Sequence, residues 1–367
     1  MRRSIAIGIG ALMGLFLSGV GAIAADDWQA GAGEDWKKLL EAARREGKVV
    51  VAGDPDLARP LSDGFKRDTG IEVEFLAGSP RDLGARVTRE LRTKNVTVDI
   101  MTGGPANIPL HKEGLMKSIK AQLVLPTVTD PKYWTGGFIK WIDNDKAYML
   151  MGAEYVHADP YYNTDRIKPD GLRTWQDLMR PDYKGKIVSV DPRSQGSGQA
   201  AAAYIVHLFG YEFVRKLYQD QQVTLVRDAR QAIEWVARGS HWISIGTSST
   251  DLERLKASGI KNVGVSDLSD GPGSVLGGFS IFWEPVGAPN PNAAAVFLNW
   301  YASKPGQEAF MAAKGTPTRR TDVDLSSVPA YNLPKPGHNY LDQYQEDFLL
   351  DVRPKLEKTI DDIMGGR

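Results

Sequence analysis

Apolar positions along the chain recur first at helical spacing and then in short runs. Trp36, Leu39, Leu40 and Ala43 share one face of a helix that Gly47 closes. Residues 48–52 form an apolar run of the buried-strand type, ended by the turn Gly53-Asp54-Pro55. Leu61 and Phe65 mark a second helix that stops at Gly70, and residues 71–77 alternate as a strand. Ser79-Pro80 then opens a helix carrying Leu83, Val87 and Leu91, and a strand at 98–101 runs into Gly103-Gly104-Pro105. Repeated β-α-β units of this length predict a mostly parallel sheet covered by helices.

Residues 130–165 break the pattern with an irregular, aromatic stretch that includes Tyr133, Trp134, Phe138, Trp141, Tyr148 and Tyr155. Regular spacing resumes with strands at 186–190, 223–226, 241–245 and 279–283. Helices are expected at 199–209, through Ile233 and Trp235, and at 292–303 and 306–314. A Pro-rich segment at 328–336 leads to a last helix over 341–364. The reading is two α/β units joined by an extended connection, with no internal repeat. Element order alone leaves open whether the last third returns to the first unit.

Composition narrows the function. At about 150 residues per domain, 367 residues suit two domains. Forty-five basic against 45 acidic side chains argue against a nucleic-acid binder. The absence of cysteine excludes disulfides, a thiol nucleophile, Cys-ligated metals and a lipid on an N-terminal Cys. Arg2 and Arg3 precede an apolar run over 5–20 and then Ala22-Ile23-Ala24, the pattern of a secretory signal peptide over 1–24. An uncleaved anchor is the alternative, and the rest of a twin-Arg motif is missing. No later apolar run approaches the ~18 residues that span a bilayer. The expectation is an exported chain, not membrane-inserted after cleavage and held in a Gram-negative periplasm.

Catalytic signatures are missing. The chain has no G-x-S-x-G elbow, no H-E-x-x-H and no G-x-x-x-x-G-K-[ST]. Its five histidines are scattered, with no two at i,i+4. No enzyme activity, cofactor or metal site is expected from these residues.

Turns after strands are the stronger candidates, because ligands of open α/β sheets bind beyond the C-terminal strand ends. Asp54 follows the first strand and equally suits a helix cap. Gly104 lies in a turn whose backbone can approach a ligand closely. Ser194 and Ser197 belong to Asp191-Pro192-Arg193-Ser194-Gln195-Gly196-Ser197-Gly198, where hydroxyls, free N–H groups and a helix dipole converge as in an anion site. Thr247 and Ser248 occupy another hydroxyl-rich strand-to-helix turn, and Arg230 opens a helix either toward the cleft or in a surface ion pair. Tyr162 stands beside Asn163-Thr164 near the crossing into the second unit, where an aromatic side chain can meet a ligand.

The chain resembles the substrate-binding proteins of ABC importers, in the group related to ferric-ion-binding periplasmic proteins. The resemblance rests on Ala43-Arg44-Arg45-Glu46-Gly47-Lys48, Lys66-Arg67-Asp68-Thr69-Gly70, Glu113-Gly114-Leu115, Tyr162-Asn163-Thr164, Trp175-Gln176-Asp177-Leu178, Tyr183-Lys184-Gly185-Lys186-Ile187, Arg230-Gln231-Ala232, Val236-Ala237-Arg238-Gly239 and Pro291-Asn292-Ala293-Ala294. It implies a two-lobed periplasmic binding protein fold of type II, each lobe a central β-sheet flanked by helices and joined by crossing hinge strands. Lobe 1 would comprise 25–150 plus 278–367, and lobe 2 residues 151–277. Tyr162 would then sit at the hinge. The implied partners are a small-molecule ligand and an ABC permease in the inner membrane, with the receptor a monomer that binds no nucleic acid.

Ferric-binding members hold iron with an adjacent tyrosine pair after the strand that follows V-A-R-G. Here that loop reads Gly246-Thr247-Ser248-Ser249-Thr250, whose neutral hydroxyls lack phenolate charge. The expected ligand is therefore a small anionic organic solute, with ferric iron or an iron chelate as the alternative. A secreted hydrolase or transferase is the rival from another class. A sensory receptor is a third possibility.

Overall fold

A computed structural model describes residues 27–157, 160–193, 196–271, 273–335 and 337–365; the expected signal peptide and Ser194 lie outside them. The first passage of the chain builds α1 (Glu34–Glu46), β1 (Lys48–Gly53), α2 (Pro55–Thr69), β2 (Glu72–Ala77), α3 (Pro80–Thr93) and β3 (Ile100–Thr102). Their ends are set locally. Gly47 takes φ 78° and donates its N–H to Ala43. Asp54 caps α2 by accepting the Asp56 N–H at 2.9 Å, and Ser79 caps α3 by accepting that of Asp82 at 3.2 Å. Short elements follow: α4 (Pro109–Lys112), β4 (Met116–Lys117), α5 (Pro126–Thr129), β5 (Lys140–Trp141) and β6 (Leu150–Met151).

After β7 (Tyr155–His157), the second passage contains β8 (Tyr161–Asn163), β9 (Ile187–Val190), α6 (Ser197–Arg215), β10 (Thr224–Val226), α7 (Ala229–Ala237), β11 (Ile243–Ile245), α8 (Ser249–Ala257) and β12 (Val263–Val265). The chain returns through β13 (Ser274–Leu276) to β14 (Ile281–Pro285), then α9 (Pro291–Ala302) and α10 (Lys304–Lys314). It closes with β15 (Leu341–Asp342) and α11 (Arg353–Ile363).

Two main sheets result, one per lobe of a two-lobed α/β fold. The first has the order β2-β1-β3-β14-β6-β5, with β4 also on β14, and the second β10-β9-β11-β8-β12. Both are mixed, where the β-α-β pattern predicts mostly parallel pairing. β14 enters antiparallel to β3 and β6, and β8 runs antiparallel to β11 and β12. The reason is connectivity: β14 arrives from the other lobe, not from a helix crossover within its own sheet. A third, three-stranded ribbon, β15-β13-β7, carries the two chain passages between the main sheets.

The first lobe's core packs Phe65, Phe297 and Trp300 together, with Trp300 edge-on to Phe65 at 5.5 Å and its indole N–H donated to Asp68 at 2.8 Å. Burial of such a side chain contributes about 2–3 kcal/mol. The second core gathers Tyr162, Trp175, Ile187 and Tyr204 beneath β8 and β9.

The C-terminal segment departs from expectation. The 341–364 region is one short strand, a wide π turn (Phe348–Val352) and α11, in place of one helix. It also does not belong to lobe 1 alone. Leu356 and Ile360 pack against Ala202 and Ala203 of α6 in the second lobe. Glu346 is buried against the first lobe, where it accepts the Asn144 N–H at 2.7 Å and meets Lys112 at 2.6 Å and His111 at 3.2 Å. The apolar spacing of the last helix shows which face it buries but not which lobe receives it.

Glu346 gives this segment a pH signature. Burial opposes its ionisation, but the Asn144 N–H, Lys112 and His111 outweigh it and hold the carboxyl below its ordinary range. A carboxylate with a depressed folded pKa adds stability above its unfolded value and loses it as pH falls through the folded one. Glu346→Gln is expected to cost about 2 kcal/mol at neutral pH. In urea unfolding, the gap from the native chain should close below roughly pH 4. A gap that stays constant into acid would refute the assignment.

Candidate ligand-binding cleft

A cleft of about 900 Å3 opens between the two main sheets and beside the ribbon that joins them. The first lobe contributes the turns after its parallel strands. Asp54 follows β1, Ser79 follows β2, and Gly104 follows β3 with φ +70°. A Cβ on Gly104 would fall 2.6 Å from Asn107 Oδ1, and one on Gly84, inside α3, 2.5 Å from the same atom. The two glycines make room for Asn107, which also lines the cleft. Thr88 and Arg89 on α3 complete this wall.

The opposite wall is the start of α6. Gly196 and Ser197 line the cleft, and no described side chain caps the helix. Its first-turn N–H groups present to the cavity the positive end of a helix that breaks at Gly210, where φ is 78°. Gly198 and Gly246 allow this placement. A Cβ on Gly198 would lie 2.5 Å from the Val190 carbonyl oxygen, and one on Gly246 2.7 Å from Gly198 Cα. The floor is aromatic: Tyr155 and Phe279 stack with ring centres 5.7 Å apart.

Charge in the cleft is lopsided. Asp54 is the only carboxylate lining it among the described residues, and Lys314 pairs with it at 3.1 Å. Arg89 and Arg353 also line it, and neither has an ion-pair partner among the described residues. Gln199 is 2 % exposed, donates Nε2 to Glu357 at 2.9 Å, and leaves Oε1 without a partner among the described residues. Burial pushes the Tyr344 phenol above its ordinary value.

The cleft thus brings together Asp54, Gly104 and Ser197 from the sequence-derived candidates. Three others lie elsewhere, and Tyr162 is not at the joining ribbon. Thr247 is fully buried, with its hydroxyl 3.2 Å from that of Ser244. Ser248 caps α8, donating to Asp251 Oδ2 at 2.6 Å and accepting the Asp251 N–H at 3.2 Å. Arg230 points to solvent and pairs with Glu234 one turn on, at 3.1 Å. Tyr162 sits inside the second lobe's sheet, its ring crossing the strand pair at Gly264.

Arg89, Gln199, Tyr344 and Arg353 are not among the sequence-derived candidates, and Tyr155 figures there only as one member of the aromatic stretch. One signal was available: Gly84 inside a helix costs about 1 kcal/mol relative to alanine and so demands a packing reason.

Residues 61–334 match the family of bacterial extracellular solute-binding proteins. The chain belongs to that family. The solute-binding protein is 31% identical over 288 residues to an uncharacterized protein of Haemophilus influenzae, covering 72% of this chain and 76% of that relative. Two solved structures show the same fold. Iron-bound HitA from Pseudomonas aeruginosa superposes with a TM-score of 0.65 at 16% identity, over 86% of this chain and 99% of HitA. AfuA from Actinobacillus pleuropneumoniae, solved with fructose-6-phosphate, has a TM-score of 0.63 at 20% identity, over 87% and 99% of the two chains. The family consists of binding proteins, and no helix among the described residues is long and apolar enough to cross a membrane.

Proposed function

We propose that this protein captures a small anionic organic solute in the cleft and delivers it, without a catalytic step, to an ABC permease of the inner membrane. It works as a periplasmic monomer after removal of residues 1–24. The observation that carries the reading is charge: among the described residues, two guanidiniums without carboxylate partners face a cavity lined by one carboxylate, Asp54, which Lys314 pairs with while also meeting Asp56. The start of α6, which has no side-chain cap among the described residues, adds N–H donors to the same space. The sugar phosphate held by AfuA, on the same fold, is a ligand of this kind.

Ferric iron is the second reading, supported by iron-bound HitA and by the tyrosines Tyr155 and Tyr344 in the cleft. Ferric ion prefers anionic oxygen. Burial of Tyr344 opposes phenolate formation, and no group of three or more His, Asp or Glu side chains among the described residues could hold a metal ion.

A thermal-shift screen separates the two. An anionic solute at 100 times its Kd should add about 2.7 kcal/mol of stability. Ferric citrate should give neither a shift of that size nor a tyrosinate-to-iron absorption band. A coloured, iron-stabilised protein would reverse the ranking.

A further inference from the structure

The family match ends at residue 334, yet two cleft residues, Tyr344 and Arg353, lie beyond it. They belong to a segment tied down at three places. β15 adds to the joining ribbon by pairing in parallel with β13. Glu346 is buried against the first lobe, and α11 packs on α6 of the second. Between these anchors the segment passes along the cleft.

Arg353 opens α11 with no ion-pair partner among the described residues. Glu357, one turn on, would be its natural partner but is bonded to Gln199 Nε2 instead. That bond leaves Gln199 Oε1 buried in the cleft wall without a donor among the described residues. An orphaned buried acceptor is costly, and a ligand hydroxyl would satisfy it. Across the cleft, Arg89 is the other lining guanidinium without an ion-pair partner among the described residues. Guanidiniums suit oxyanions with several acceptor oxygens, and two of them match a dianion.

We infer that residues 341–363 form a strap that is part of the binding site, with Arg353 and Arg89 sharing the dianionic head of a phosphate monoester and Gln199 Oε1 accepting one of its hydroxyls. The inference rests on the anionic reading above and adds the head group and the residues that hold it. The strap contacts both lobes and the ribbon, so a ligand held by Arg353 is felt at each anchor.

The test is calorimetric titration of the full mature chain with glucose 6-phosphate, fructose 6-phosphate and glycerol 3-phosphate, against glucose and succinate. At least one phosphate monoester should bind, and glucose and succinate at least a hundredfold more weakly. Arg89→Gln and Arg353→Gln should each weaken that monoester at least tenfold. Lys355→Gln, exposed on the same helix, should stay within twofold. Hydrogen exchange over 341–363 should slow with ligand in the native chain and not in Arg353→Gln, while thermal unfolding without ligand stays unchanged in both. If Arg353→Gln binds like the native chain and Arg89→Gln does not, the strap is excluded and the anionic reading survives. Succinate binding as tightly as the monoesters overturns the head-group assignment. Binding of none of these anions to the native chain overturns the anionic reading and the strap with it.

Discussion

Gly246→Ala is expected to lower solute affinity about a thousandfold, on the order of 4 kcal/mol, while leaving the second sheet assembled. Gly246 follows β11 at φ +72°, a conformation that costs an L-residue roughly 1–2 kcal/mol. Strain alone would only reduce stability. The added Cβ, however, lands 2.7 Å from Gly198 Cα and 3.0 Å from Gly198 N, both backbone atoms of the first turn of α6. Backbone cannot yield as a flexible side chain can, so the turn that presents N–H groups to the cleft must move. Gly239→Ala provides the control. It carries nearly the same φ, +76°, but its Cβ would meet nothing nearer than the Arg166 side chain at 3.5 Å. That variant should lose about 1 kcal/mol of stability and keep its affinity. Calorimetry on both variants decides the matter: equal affinities would show that the α6 turn is not part of the site.

This pair also shows how far local rules reach. Asp54, Ser79, Gly47 and Gly70 are legible because a cap involves only residues two to four positions away. The turns after β1, β3 and β9 were found for a related reason, since strand-end position is a property of the alternating pattern itself. Strand direction is not local. β14 pairs antiparallel because the chain crosses between lobes before reaching it, and no periodicity within 281–285 records that. Side-chain direction on helices is similarly hidden. Arg230 and Arg89 are both helical arginines, but α7 turns its arginine to solvent while α3 turns Arg89 into the cleft. Ser248 and Ser197 look alike in sequence as well. The Ser248 hydroxyl is consumed by Asp251, whereas Ser197 lines the cavity. Tyr162 lies off the expected hinge because the joining ribbon pairs β13 with β7, one strand before Tyr162's own β8. Arg353 left no trace at all, because its place depends on the path of a whole C-terminal segment.

Stability and binding can be separated at two adjacent arginines. Arg320 is 2 % exposed, with its guanidinium forked onto Asp322 at 2.8 and 2.7 Å. It also donates to the Thr127 and Ala302 carbonyls at 2.9 and 2.8 Å, tying α5 and the end of α9 together, and lies over the rings of Tyr133 and Trp134. All these partners are in the first lobe, away from the cleft. Arg319 instead pairs with Glu154, which Lys140 meets at 2.6 Å, and Lys140 in turn holds Asp342 of β15 at 2.8 Å. That chain of charges runs into the ribbon and the strap. Arg320→Met is therefore expected to cost about 3 kcal/mol, because the buried guanidinium loses its bonds to the partly exposed Asp322 and leaves the Thr127 and Ala302 carbonyls without that donor. At roughly 2–4 °C per kcal/mol, its Tm should fall by about 10 °C. Affinity measured well below that temperature should stay within twofold of native, because no cleft residue has lost a contact. Arg319→Met should show the reverse balance, with a smaller loss of Tm and weaker binding through a loosened strap. An Arg320→Met chain that unfolds at the native temperature, or an Arg319→Met chain with native affinity, would break this division of labour.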